Sequence, residues 1–307
     1  MRLGQFGGMD LAKAWATDVD VVGTLRLLAA SGDYVYTQGA SEQTVSKRTR
    51  ASGEVLWTRD FLTDDGAYAN IAVDAAGNVY TLAANDLHQY DADGDLVYTH
   101  EGAGAGGTGS YLAGISPDGT RIAVVVSTAL HWFVNVYEPG DENIICSFRP
   151  THGTYGDNGE ITDLAFDSDN NIAVIGRYGA GPGYSYFAHK FTDLGAQVWI
   201  ASTMACDGAG GGIAFDVDGN VWVIRHTTFY PLKLGKNTGA VLLTGATAYE
   251  HTVAINALSN GDLVLVQHTG TTMTLTRINS LAAEQAEEAY TDVTAVYTRY
   301  GKRAVVA

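Results

Sequence analysis

Short runs of apolar residues, often alternating with polar ones, follow one another along the chain, and each ends in Gly, Asn, Asp or Ser. Ile71-Ala72-Val73, Val79-Tyr80-Thr81-Leu82-Ala83 and Leu87-His88-Gln89-Tyr90 are examples. Runs this short, rich in β-branched and aromatic residues and bounded by turn formers, predict strands. One turn recurs. Its glycine or asparagine falls at Gly32, Gly77, Gly119, Asn170, Gly219, Gly261 and Gly301, at intervals of 40 to 51 residues. Most copies read apolar–small–apolar–Asp/Ser–x–x–Gly–Asn/Asp/Thr and lead into a β-branched or aromatic run, most clearly at 71–80 and 213–222.

Self-similarity at this period predicts propeller blades. In 69–101, strands at 70–73, 79–83, 87–90 and 95–100 alternate with turns, a four-stranded meander with local pairing only. The same grammar places blades at about 24–60, 69–101, 111–149, 161–202, 211–246 and 251–290. Residues 291–307 supply only an inner and a second strand, and 1–18 supply an outer half, with Trp15 in the place of Trp57 and Trp199. The expectation is one all-β domain over 1–307, a seven-bladed β-propeller whose last blade joins both termini and removes free sheet edges. Residues 281–289 have helix-forming composition and are expected as either a short helix or the sixth outer strand. One inner-strand position is small in five blades, at Ala72, Gly114, Ala165, Ala214 and Ala254, as packing around an axis requires.

The length of 307 residues suits one closed propeller. With 37 Gly and 5 Pro, turns rely on glycine and Asx chemistry. The net charge of −16, with six Lys, argues against nucleic acid and against an anionic membrane surface, because both need clustered cations. No stretch is long and apolar enough for a membrane span, and the N-terminus shows no secretory signal. Cys146 and Cys206 are too few for a disulfide framework and are expected as buried thiols, although they could pair.

The Ile-Ala-Val-Asp-x-x-Gly-Asn-Val-Tyr core at 71–80 resembles NHL-type and related bacterial propeller repeats. The outer halves at 49–57 and 192–199, each ending in Trp, resemble quinoprotein-type repeats, with Tyr98 and Leu242 standing for the tryptophan in other blades. Quinoprotein dehydrogenases imply a quinone and, in many, adjacent cysteines. Cys146 and Cys206 are not adjacent, so no cofactor is expected.

In such an architecture the inter-blade loops and the loops joining the two middle strands share one face, and here they are the long ones. Function concentrates in long loops on a rigid scaffold. Candidates are 61–68, 101–110, 150–160, 203–210, 178–186 and 226–229. Tyr155, Tyr178, Tyr184, Tyr186, His226, Phe229 and His268 are the candidate binding residues, since tyrosine gives large contact area at small entropic cost. His100, His152, His226, His251 and His268, with Asp157, Glu160, Asp207 and Glu250, are candidates for a metal or acid–base centre, without diagnostic spacing. The Gly-rich runs at 102–109 and 208–212 lack the Lys-Ser/Thr of a phosphate loop. The Asp/Gly turns at 91–95 and 216–220 lack the closing Glu of an EF-hand and are expected as hairpin turns.

The leading expectation is a non-enzymatic interaction or structural module that binds other proteins of an assembly such as a phage virion or tail, or a surface glycan. The alternatives are a metal-dependent lactonase, lyase or glycan hydrolase using the histidines, and an acidic protein adapted to high salt.

Overall fold

The computed structural model describes residues 25–31, 33–39, 44–49, 51–60, 70–83, 85–103, 109–128, 131–151, 160–178, 184–206, 211–225, 230–245, 252–257, 261–269, 272–279, 281–282 and 284–290. Every regular element among them is a strand, and the strands form four-stranded antiparallel sheets. Blade 1 holds β1 (Leu25–Ser31), β2 (Tyr34–Gly39), β3 (Thr44–Thr49) and β4 (Val55–Asp60). Blade 2 holds β5 (Asn70–Val73), β6 (Val79–Ala83), β7 (Asp86–Tyr90) and β8 (Leu96–His100). Blade 3 holds β9 (Gly109–Ile115), β10 (Ile122–Ser127), β11 (Trp132–Tyr137) and β12 (Ile144–Phe148). Blade 4 holds β13 (Glu160–Phe166), β14 (Ile172–Tyr178), β15 (Tyr184–Phe191) and β16 (Gln197–Cys206). Blade 5 holds β17 (Gly211–Phe215), β18 (Val221–Arg225), β19 (Leu232–Leu234) and β20 (Val241–Thr244). Blade 6 holds β21 (Thr252–Ala257), β22 (Leu263–Thr269), β23 (Thr272–Ile278) and β24 (Glu284–Tyr290).

Each sheet pairs its strands in sequence order. The first strands β1, β5, β9, β13, β17 and β21 pack on one another in turn, so they are the inner strands of a propeller. Burial falls outward. β10, Ile-Ala-Val-Val-Val-Ser, is buried on both faces except at its last residue, while β8 exposes its first two residues. A sheet covered on both faces by neighbouring sheets reads as a continuous apolar run, and an outermost strand does not. The core accordingly lies between blades. Ile122, Val124 and Tyr137 of blade 3 pack on Tyr80, Leu82 and Leu87 of blade 2. Ile161, Val174 and Phe187 of blade 4 pack on Val125, Val134 and Phe148 of blade 3. Comparable clusters join blades 1 and 2, 4 and 5, and 5 and 6.

The recurring turns have the backbone that the sequence demands. Gly77, Gly119, Asn170, Gly219 and Gly261 adopt φ of 89°, 75°, 62°, 78° and 87°, a region that favours Gly and tolerates Asn. Gly32 and Gly301 lie outside the described residues, as does the proposed seventh blade from 291–307 and 1–18.

Three readings are settled or shifted by register. The 281–289 segment is not a helix: β24 pairs with β23 from Met273↔Tyr290 to Ile278↔Glu284, so tertiary pairing overrides propensity. Asn256, not Ala254, takes the inner-strand place of Ala72, Ala165 and Ala214, because Asn256 faces Val264 as Ala72 faces Tyr80. Leu243, not Leu242, takes the place of Trp57 and Trp199, because it faces Lys233 as they face Lys47 and Lys190.

Candidate functional site: turn face, loop face and outer rim

On the turn face, an aspartate opens the hairpin between the first two strands and binds its own loop. Asp74 accepts from Asn78 N–H and Asn78 Nδ2 at 2.8 Å each and from Tyr80 OH at 3.2 Å. Asp216 accepts from Asp218 and Asn220 N–H at 3.0 and 2.9 Å and from Trp222 Nε1 at 3.3 Å. The Asp91 carboxylate caps the 91–95 turn the same way, accepting the N–H groups of Asp93 and Asp95 at 3.0 Å. These Asx turns confirm the hairpin reading.

In blades 4 and 5 a third-strand lysine completes the motif. Lys190 Nζ lies 2.9 Å from Asp167, both side chains buried, and Lys233 Nζ lies 2.8 Å from Asp216. Burial works against ionisation of Asp216, but hydrogen bonds from Lys233 and Asn220 and the Lys233 charge outweigh it and hold the carboxyl below the usual range. Blade 3 substitutes Ser116, whose hydroxyl donates to Asp118 at 2.6 Å. Burial again opposes ionisation of Asp118, and hydrogen bonds from Ser116, Asn170 and Thr120 prevail, holding it well below the carboxylate range. The Asn170 contact, 2.8 Å, ties blade 4 to blade 3.

The outer strands clasp the next blade. Trp57 Nε1 donates to Ala92 O at 3.1 Å, and Trp199 Nε1 donates to Lys236 O at 3.0 Å. Both rings lie on a glycine of that turn, and a Cβ on Gly239 would come within 2.6 Å of Trp199. Cys146 takes the same place in blade 3, its Sγ 3.5 Å from Asp193 O. It is a free thiol, pushed up to about 11 by burial first and by the Asp193 charge second, which is inert chemistry. The side chain of Cys206 lies outside the described residues.

The candidate loops are only partly within reach. Tyr155, His152, His226, Phe229 and His251 lie outside the described residues. Tyr184 and His268 have described backbone, on β15 and β22, but not described side chains. Tyr178 and Tyr186, expected in a loop, stand on the strands β14 and β15 and are buried. They serve opposite faces of the sheet: Tyr178 in the cluster with blade 3, Tyr186 in the cluster with blade 5. Arg177↔Tyr186 and Tyr178↔Ser185 pairing extends the hairpin and turns the tyrosines into core. Glu160 is tied to Arg177, whose Nε is 2.6 Å away.

His100 ends the outermost strand of blade 2, edge-on to the Tyr137 ring at 4.7 Å. An axial centre would instead be built at the inner strands. His88 is held by Thr99 at 3.1 Å, with its basicity lowered by burial, which outweighs the opposing charge of Asp86. His189 is buried with its ring 5.0 Å from Phe187. Among the described residues no group of three or more His, Cys, Asp or Glu is arranged to hold a metal ion.

The rim carries what the sequence reading missed. Each described outer strand begins with a register shift of one residue, as between Gln89/Tyr90 and Lys233/Leu234, so its second residue is a β-bulge. Bulges re-aim side chains. Here two consecutive apolar residues are turned to solvent: Val55 and Leu56 in blade 1, Leu96 and Val97 in blade 2, Val241 and Leu242 in blade 5. In blade 3 Ile144 is exposed at the same place, and in blade 4 Val198. Blade 6 has Glu284 and Gln285 there. The signal in the sequence was Gly-x-apolar-apolar at 53–56, 94–97 and 239–242.

No family model and no curated relative matches the chain. Solved structures do. Virginiamycin B lyase from Staphylococcus aureus, a propeller, is similar at TM-score 0.58 and 14% identity, over 88% of this chain and 84% of that one. A protein of unknown function from Bacteroides caccae is similar at TM-score 0.52 and 14% identity, over 87% of this chain and 94% of that one. The computationally designed Ika8 protein is similar at TM-score 0.55 and 12% identity, over 87% of each chain. At such identities the likeness is one of fold.

Proposed function

We propose that this protein is a non-enzymatic interaction module, a propeller that takes its place in a multi-protein assembly such as a phage virion or tail. The observation that carries the reading is the rim, where the same bulge lifts apolar pairs into solvent on blades 1, 2 and 5. Apolar side chains presented together at a surface mark contact sites. The turn-face pairs, by contrast, are engaged within the scaffold: Asp167 with Lys190 and Asp216 with Lys233 inside their own blades, and Asp118 with Asn170 of the next. The acidic, lysine-poor composition supports a protein partner over nucleic acid. Kinship with NHL-type or quinoprotein-type repeats, closure of a seventh blade by both termini, and protein or glycan binding by the long loops belong to the same proposal.

The test is capture from the native host or particle with the immobilised protein, followed by mass spectrometry of stoichiometric partners. Wild type is expected to retain partners that Leu56→Glu, Leu96→Glu or Leu242→Glu loses. A folded protein that retains none, or rim variants that retain the same set, would overturn the reading.

A further inference from the structure

The rims of blades 2 and 5 differ in a way that makes them fit each other. From 230 to 245, blade 5 contains Lys233 and Lys236 and no Asp or Glu. Lys233 is occupied by Asp216, which leaves the exposed Lys236 as the cation of this edge. Beside it Val241 and Leu242 are 59% and 57% exposed. From 85 to 101, blade 2 contains Asp86, Asp91, Asp93, Asp95 and Glu101 and no Lys or Arg. Its Leu96 and Val97 are 55% and 60% exposed. Asp95 has one partner from outside its blade, the half-buried Arg59 at 3.3 Å, which also donates to Gly94 O and Asp93 O. The other rims match blade 5 less well. Blade 1 is mixed in sign, blade 3 offers one strongly exposed apolar residue, blade 4 has Gln197 beside Val198 at the pair and Asp193 as its single acid, and blade 6 has polar residues there.

We infer that the blade 5 rim binds the blade 2 rim of a second copy of this chain. Val241 and Leu242 of one copy pack on Leu96 and Val97 of the next, and Lys236 meets the carboxylates that flank that pair. Either strand direction gives Lys236 a partner, Asp93 and Asp95 at one end of β8 or Glu101 at the other. Contact runs through side chains, because the bulges interrupt the regular ladder that strand addition would need. The two patches are different surfaces of one chain, so the contact is heterologous and propagates head to tail rather than closing as a two-fold dimer. A rim contact belongs to the weak interface class, so it shows in concentration series. The inference rests on reading the rim as an interaction surface, but names one occupant.

The experiment is sedimentation velocity of the full chain over a concentration series at physiological ionic strength. Wild type is expected to grow beyond dimer as concentration rises. Leu242→Glu and Leu96→Lys, each checked for a wild-type circular dichroism spectrum, are expected to weaken self-association by about tenfold or more, a loss of about 1.4 kcal/mol. Each variant keeps one good surface, so an equal mixture of the two is expected to form dimers and stop there. A wild type that stays monomeric, variants that associate unchanged, or a mixture that does not pair would overturn the inference. A monomeric wild type that still captures other proteins through the rim would overturn this inference and leave the proposed function standing.

Discussion

Blades 1 and 2 meet through the same parts as blades 4 and 5, and the lysine is where the two junctions part. Both have an outer tryptophan donating to the next blade's turn. In blade 4, Lys190 stays at home, buried against Asp167. Lys47, in the same register, crosses to blade 2 and donates to Ala92 O at 2.8 Å, with the Tyr34 ring 4.3 Å away. Its ammonium faces a carbonyl and aromatic rings rather than an adjacent carboxylate. Burial pushes its pKa down, opposed by the more distant charges of Asp93 and Asp91. One scaffold position thus serves two tasks. Where the inner turn supplies a buried aspartate, the lysine locks its own blade, and where it does not, the lysine binds its neighbour.

The largest expected effect breaks the shared part. Trp199→Ala removes a buried ring and its hydrogen bond, and should cost about 3–5 kcal/mol in urea unfolding. Trp57 is only half-buried, so Trp57→Ala should cost clearly less. Equal losses would show that the two clasps are equivalent. Next, Asp167→Ala strands a buried ammonium and should cost about 3 kcal/mol, whereas Lys47→Met, which removes a cation without a close counter-charge, should fall within about 1 kcal/mol of wild type. The smallest effect is in pH dependence. Asp216 has a depressed folded pKa, so its contribution is present above the unfolded value near 4 and is lost as pH falls through the folded one. Lys47 has a folded pKa below its unfolded 10.5, so its penalty is relieved as pH rises through that window. Urea midpoints against pH should flatten on the acid side in Asp216→Asn and on the alkaline side in Lys47→Met. Curves parallel to wild type would separate these groups from the stability they are assigned.

Blade boundaries were legible because they depend on local chemistry. Asp at the turn start and Gly or Asn at positive φ are required by the hairpin itself, and alternation marks the strands beside it. Register was legible in spacing but hidden by composition. Leu243 stands four residues after Gly239, as Trp57 stands after Gly53, but Leu242 beside it is the same residue type. Asn256 stands five residues before Gly261, as Ala72 stands before Gly77, but it is not a small apolar residue, and Ala254 nearby is. The glycine-rich run at 179–183 drew Tyr178 and Tyr186 into a supposed loop, although Tyr-Ser-Tyr-Phe at 184–187 has strong strand propensity. Glu-rich 284–288 looked helical because an outer strand has solvent on one side and can carry any polar residue. The candidate site was least legible, because loop geometry follows no period. Of its tyrosines and histidines, those whose side chains are described are packing residues.

The bulge at the head of each outer strand has one more consequence. It absorbs a residue locally and leaves the clasping tryptophan and the third-strand lysine in unchanged alignment beyond it. The two positions it displays are therefore released from the repeat's constraints. Valine–leucine, isoleucine or glutamate–glutamine can stand there without disturbing a blade junction. A series of nearly identical sheets thereby carries labels that differ between blades.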